Sequence, residues 1–211
     1  MSSSAPRSNP LPLPGWPGDP FQAMIQFKNG THPVALALRR IVIRLEEASI
    51  PHAVMGGLAI LAHGCRRPTD GVDVLIRPEG LEAFRSALVP EHYEPRPSRD
   101  RRFVERAHRV PVHFYLTGHY PGYSGPAPIT FPHPLAVRER IQGVYYVDLA
   151  TLVQLKLAAG RPRDLADAVD LTRVNKLQQD YRERIHPDLR VKFIGCLDEI
   201  VRDEEFAARN G

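Results

Sequence analysis

One stretch limits the folds open to this chain more than any other: residues 53–77, AVMGGLAILAHGCRRPTDGVDVLIR. It reads as a buried strand at 52–55, then Gly56 and Gly57 opening a short helix that ends near Gly64. A polar turn and a second strand from about 72 to 77, stopped by Pro78, complete the unit. Glycines between a strand and a helix remove a Cβ clash at the turn and expose backbone N–H groups at a positive helix end. They therefore admit a steric reading and an anion-binding one. The second strand carries Asp73, with Thr69 and Asp70 just before it. Two carboxylates at i and i+2 of a strand share a face and can hold magnesium jointly. The residue two before Asp73 is Gly71.

The rest of the chain can be read as support for this unit. Residues 1–30 open with a proline- and serine-rich run, which predicts a disordered or polyproline-like tail. Thr31-His32-Pro33 reads as a helix start, and Val34, Leu38, Ile41, Val42 and Leu45 follow at helical spacing. A helix over 79–89 carries Leu81, Phe84, Ala87 and Leu88 on one face. From 90 to 117 the pattern is β-structure with charged turns. There Val110, Val112, Phe114 and Leu116 alternate cleanly, which places Pro111, His113 and Tyr115 on the less apolar face. Residues 118–134, rich in Gly, Pro and Tyr, form a loop long enough to be a lid, a binding loop or a surface excursion. A short strand at 144–148 precedes helices over 149–160, 161–176 and 187–208.

Length and composition bound the function. A chain of 211 residues can bury one core, and no apolar run approaches the roughly 20 residues that span a bilayer. The N-terminus lacks the charged start and apolar run of a signal peptide. Cys65 and Cys196, widely spaced, argue against a disulfide framework or a zinc site and fit a cytoplasmic setting. The net charge of +4 comes mostly from arginine. Arg96, Arg99, Arg101, Arg102, Arg106 and Arg109 fall within one short segment, read either as a solvated surface or as an electropositive cleft. No aromatic-interleaved basic motif points to specific nucleic-acid binding.

The combination Gly56-Gly57-x-Ala59-x-x-x-His63-Gly64-x-x-Arg67-x-Thr69, followed by Val72-Asp73-Val74-Leu75, resembles the nucleotidyltransferase superfamily. Within it the chain is most similar to the minimal bacterial group with the AbiEii/MenT-type toxins and MNT-type antitoxins. The strand VPVHFYL, the loop with Tyr120-Pro121-Gly122, the helix with Leu155-Lys156-Leu157-Ala158 and the run Arg163-Asp164-Leu165-Ala166-Asp167 agree in order, over roughly residues 32–200. The resemblance implies an α+β fold with a mixed β-sheet core over 31–148, flanked by helices, and a helical C-terminal part over 149–211. It implies a nucleoside triphosphate as ligand and Mg2+ or another divalent metal as cofactor where the protein is active.

The resemblance also places the metal carboxylates, and here the chain departs from the pattern. The family's first aspartate falls on Gly71 and its third on His113, so Asp73 stands alone. Rescue would need Asp70 swung inward by a bulge at Gly71, or His113 joining Asp73 around a softer metal such as zinc or manganese. Gly56, Gly57, Arg67, Thr69, Lys156, Arg163 and Asp164 are the expected nucleotide-binding residues. Arg163 and Asp164 could equally form a structural ion pair, and His63 reads as a helix-end histidine. The expectation is a catalytically impaired relative, a pseudoenzyme that keeps a nucleotide cleft. The alternatives are an active enzyme that moves NMP to a protein, RNA or small molecule, and a toxin–antitoxin-type module that acts through a protein partner.

Overall fold

The computed structural model describes residue 26 and residues 29–97, 99–122 and 125–210, so the expected tail over 1–30 lies almost wholly outside the described residues. Helix α1 (Pro33–Glu47) opens the ordered chain. Within the expected start its cap is His32: the imidazole Nδ1 accepts from the Val34 N–H, and Pro33 supplies a first position that needs no donor. Buried Val34, Leu38, Ile41, Val42 and Leu45 form its inner face, as their spacing predicts.

The central unit follows as strand β1 (His52–Met55), helix α2 (Gly56–Ala62) and strand β2 (Val72–Ile76). Helix α3 (Pro78–His92) runs past its expected end at 89 and through Pro90. Strands β3 (Tyr93–Arg96), β4 (Arg99–Glu105) and β5 (Val110–Leu116) form an antiparallel meander. An edge hairpin of β6 (Arg138–Ile141) and β7 (Val144–Val147) leads into helices α4 (Leu149–Ala159), α5 (Pro162–Val174) and α6 (Arg190–Asn210). Strand β6 was not foreseen, because its RERI sequence lacks an apolar alternation.

The seven strands of the described residues join one mixed sheet in the order β3-β4-β5-β2-β1-β7-β6. β2 runs antiparallel to β1 and parallel to β5, and β1 runs parallel to β7. The architecture is α+β, as expected. Strand period two then divides the sheet into two faces. On one face Phe103 and Phe114 meet Phe84 of α3, with ring centroids 5.0 and 4.5 Å away, and Tyr93 closes the cluster at 4.9 Å from Phe84. On the other face lie Asp73, His113 and Arg102, which the meander and the β2–β5 pairing place side by side.

The C-terminal helices share the same apolar core: Leu152, Val153, Leu157, Leu171 and Phe193 are buried with Val54 and Val74. α4 is apolar nearly all round because it sits inside this layer. Asp148 caps its start through the Thr151 N–H at 2.9 Å, and Gly160, at φ 65°, ends it. No helix among the described residues is long and apolar enough to cross a membrane.

Candidate functional site

A cleft of about 450 Å³ opens on the polar face of the sheet, between β1, β2, β4 and β5 on one side and α4 and the start of α5 on the other. Its floor is a row of residues in register across four strands. Met55 of β1 is opposite Asp73 of β2, Asp73 is opposite His113 of β5, and His113 is opposite Arg102 of β4. Directly opposed strand residues share a face. Asp73 Oδ1 and His113 Nδ1 accordingly lie 3.4 Å apart, both side chains partly exposed to the cleft.

The glycine pair is explained first by space. Gly56 has φ +63°, and a Cβ there would come within 2.0 Å of Asp73 Oδ2. A Cβ at Gly57 would meet Thr69 at 2.8 Å. Both glycines therefore let Asp73 and the 66–71 turn close down on the start of α2. That helix has seven residues and so offers little aligned dipole to an anion. Both residues line the cleft.

Gly71 is also a packing position. A Cβ there would lie 2.8 Å from the backbone carbonyl oxygen of Pro111 on β5. Backbone of a central strand yields much less easily than the end of a flexible side chain. Strand β2 begins only at Val72, and from there its register against β1 and β5 runs without a shift. Asp70 is exposed and does not line the cleft. Thr69 is outside the lining too; its hydroxyl donates to the Gly71 carbonyl at 3.2 Å.

The far wall is an ionic network. Lys156 of α4 donates to Asp164 at 2.9 Å and lies 2.7 Å from Asp167, both on α5. Arg67 pairs with Asp167, and Arg161 pairs with Asp164. Burial works against ionisation of Asp164, but the Arg161 hydrogen bond and the Lys156 charge more than offset it and hold its carboxyl below the usual range. The ion pair expected between Arg163 and Asp164 does not form, because Asp164 is engaged by Lys156 and Arg161. Arg163 is instead exposed at the cleft mouth, and neither it nor Arg102 has an ion-pair partner among the described residues.

The 118–134 loop supplies the remaining wall through Tyr120, Pro121, Gly122 and Phe131. It is pinned at its base by the Gly118 and Phe131 N–H groups, which donate to Phe131 and His119 carbonyls at 2.8 Å. Phe131 also packs on Tyr115, ring centroids 5.2 Å apart. His63 stands outside the cleft lining. Its Nε2 lies 2.8 Å from the Val147 carbonyl oxygen and its Nδ1 3.5 Å from Glu139, which ties α2 to the edge hairpin. The buried thiols of Cys65 and Cys196 are both pushed up to about 11 by burial, so neither is a nucleophile near neutral pH.

Of the residues expected from sequence, Asp73, His113, Gly56, Gly57, Arg67, Lys156, Arg163 and Asp164 converge on one cleft. Arg161 and Phe131 join them without having been named, and Arg102 joins them having been named only as one of a run of arginines. Arg102 could have been found from its pairing opposite His113, had the β4–β5 register been known.

The donor set does not fit a pair of magnesium ions. Among the described residues no three His, Cys, Asp or Glu side chains gather as metal ligands. Magnesium demands several hard oxygen donors; the cleft floor offers the carboxylate of Asp73 beside an imidazole, and the Asp164 carboxylate in the far wall is taken up by Lys156 and Arg161.

No family model matches the chain, and no curated protein matches it. Among solved structures it is similar to JHP933 from Helicobacter pylori, with 17% identity over 77% of this chain and 72% of that one and a TM-score of 0.42. It is similar to the antibiotic-resistance factor ANT(2'')-Ia, with 13% identity over 88% and 98% of the two chains and a TM-score of 0.44. It is also similar to an antigenic nucleotidyltransferase-like protein from Paracoccidioides brasiliensis, with 14% identity over 82% and 89% and a TM-score of 0.47.

Proposed function

We propose that this chain is a nucleotidyltransferase-fold protein that binds a nucleotide in the cleft over its sheet and is impaired in metal-dependent nucleotidyl transfer. The observation that carries the reading is the row Asp73–His113–Arg102, with Gly71 packed on the Pro111 carbonyl. A single carboxylate stands where the transfer chemistry needs a set, and the vacancy at 71 is part of the packing of β5. The cleft keeps the cationic wall, Lys156 and Arg163 among it, that suits phosphate. The closer likeness to the minimal bacterial toxin and antitoxin types rests on the sequence motif.

Calorimetric titration with ATP, CTP, GTP and UTP, with and without magnesium, tests the binding half of the reading. Saturable heat with at least one nucleotide is expected, and no heat with any of them overturns it. Transfer of labelled NMP to protein or RNA, assayed across several divalent metals, tests the other half. Wild type and Asp73→Asn should give the same background. Signal in wild type that disappears in Asp73→Asn would restore the enzymatic alternative.

A further inference from the structure

We infer that the cleft grips the polyphosphate of its nucleotide through arginine, without a divalent cation, and that Arg102 is the central residue of that grip. The inference rests on the proposed nucleotide-binding role and adds how the charge is met. A metal-using cleft gathers carboxylates, which repel phosphate until cations bridge the two. Here the sign is reversed. The three carboxylates at or behind the cleft wall are Asp73, Asp164 and Asp167. Asp164 and Asp167 are already engaged by Lys156, Arg67 and Arg161. Asp73 lies against His113.

Three arginines of the lining face no carboxylate. Arg101 lies 3.4 Å from the His119 ring Nδ1, while Arg102 and Arg163 have no ion-pair partner among the described residues. Arg102 and Arg163 come from different elements of the lining. Arg102 projects from β4 next to His113, and Arg163 from the first turn of α5. Guanidinium forks match phosphate oxygens in pairs, and an anion held between two of them needs no bridging metal. A magnesium ion bound to the same phosphates would have to sit close to Arg102 with only Asp73 to receive it. The chemistry selected is that of a free nucleoside triphosphate. Its affinity should come from the phosphate chain, with the exposed Tyr120 offering ring surface to the base.

The test compares binding of ATP, CTP, GTP and UTP to the full chain in excess EDTA and in excess magnesium, by calorimetry. The best ligand should bind in EDTA at least as tightly as in magnesium, and inorganic tripolyphosphate should displace it in EDTA. Arg102→Gln should weaken EDTA binding about tenfold or more, the scale of one lost charged hydrogen-bond pair. Arg163→Gln should weaken it less, because that side chain is exposed. Unchanged melting temperatures of the ligand-free variants would show that the fold is kept. Binding seen only with magnesium overturns the inference and leaves the proposed function standing. Absence of binding under both conditions overturns the proposed function itself. Failure of tripolyphosphate to compete, or wild-type affinity in a folded Arg102→Gln protein, also overturns the inference.

Discussion

The two faces of the central sheet are built from the same strands and differ in almost everything else. On β5, Val112 and Phe114 point into the aromatic cluster around Phe84, while His113 between them points into the cleft. On β4, Phe103 belongs to the first face and Arg102 to the second. One residue step separates a group fixed by close packing from a group left available for binding. Substitutions on the packed face should therefore cost stability and spare the site, and those on the cleft face should do the reverse.

The largest break in that comparison comes from Phe84→Ala. It removes the ring that contacts Tyr93, Phe103 and Phe114, and should cost about 3–5 kcal/mol in denaturant unfolding. Protein that remains folded should keep its nucleotide affinity.

Next is Asp164→Asn, which leaves Lys156 and Arg161 facing a neutral amide in a mostly buried setting. A loss of about 3 kcal/mol is expected at neutral pH. This residue also fixes a pH signature. Its carboxyl titrates below the ordinary 3.8 in the folded state. In that window the unfolded chain holds the extra proton, so stability rises with pH there. The contribution is fully present above the ordinary value and is lost as pH falls through the folded one. Asp164→Asn should flatten the acid limb of a stability–pH curve; a limb as steep as wild type would assign it to other carboxylates.

Gly71→Asp sharpens the comparison from the cleft side. It would restore a carboxylate at the vacant position, yet its Cβ would press on the Pro111 carbonyl. A loss of about 1–3 kcal/mol is expected, the usual cost of overpacking, with no gain of NMP transfer in the single variant or with His113→Asp added. Transfer by a stable double variant would mean that β5 yields more readily than its packing suggests. The smallest effect on stability belongs to Asp73→Asn, within about 0.5 kcal/mol, because its side chain is partly exposed and its partner His113 is as well. A melting temperature several degrees lower would place Asp73 with the structural residues.

Much of this division was legible in the chain. The alternation through 110–116 marked both faces of β5, and the glycine pair marked the entry to the cleft. The pairings were the part that local pattern could not supply. Arg102 lay within a run of arginines that also reads as plain surface, and only its register against His113 lifts it out. Arg67 and Asp167 meet across a hundred positions of sequence, which no spacing rule reaches. The run Thr31-His32-Pro33 marked a helix start, and His32 makes the cap because an imidazole nitrogen can accept a backbone proton as a hydroxyl oxygen does. Gly71 looked like a lost side chain. Its neighbour across the sheet makes it a position where a side chain has no room.

The parallel pairing of β1 with β7 has a consequence for how the molecule is made. Val54 must wait for Tyr146, far along the chain, before the centre of the sheet is closed on both sides. Strands β1 to β5 therefore leave a ribosome with every residue of the row Asp73–His113–Arg102 made but with the partner of β1 on its far side still to come. Lys156 and Arg163 follow only after that partner. The binding cleft should thus be among the last parts of the protein to come into being, since its far wall is made after its floor.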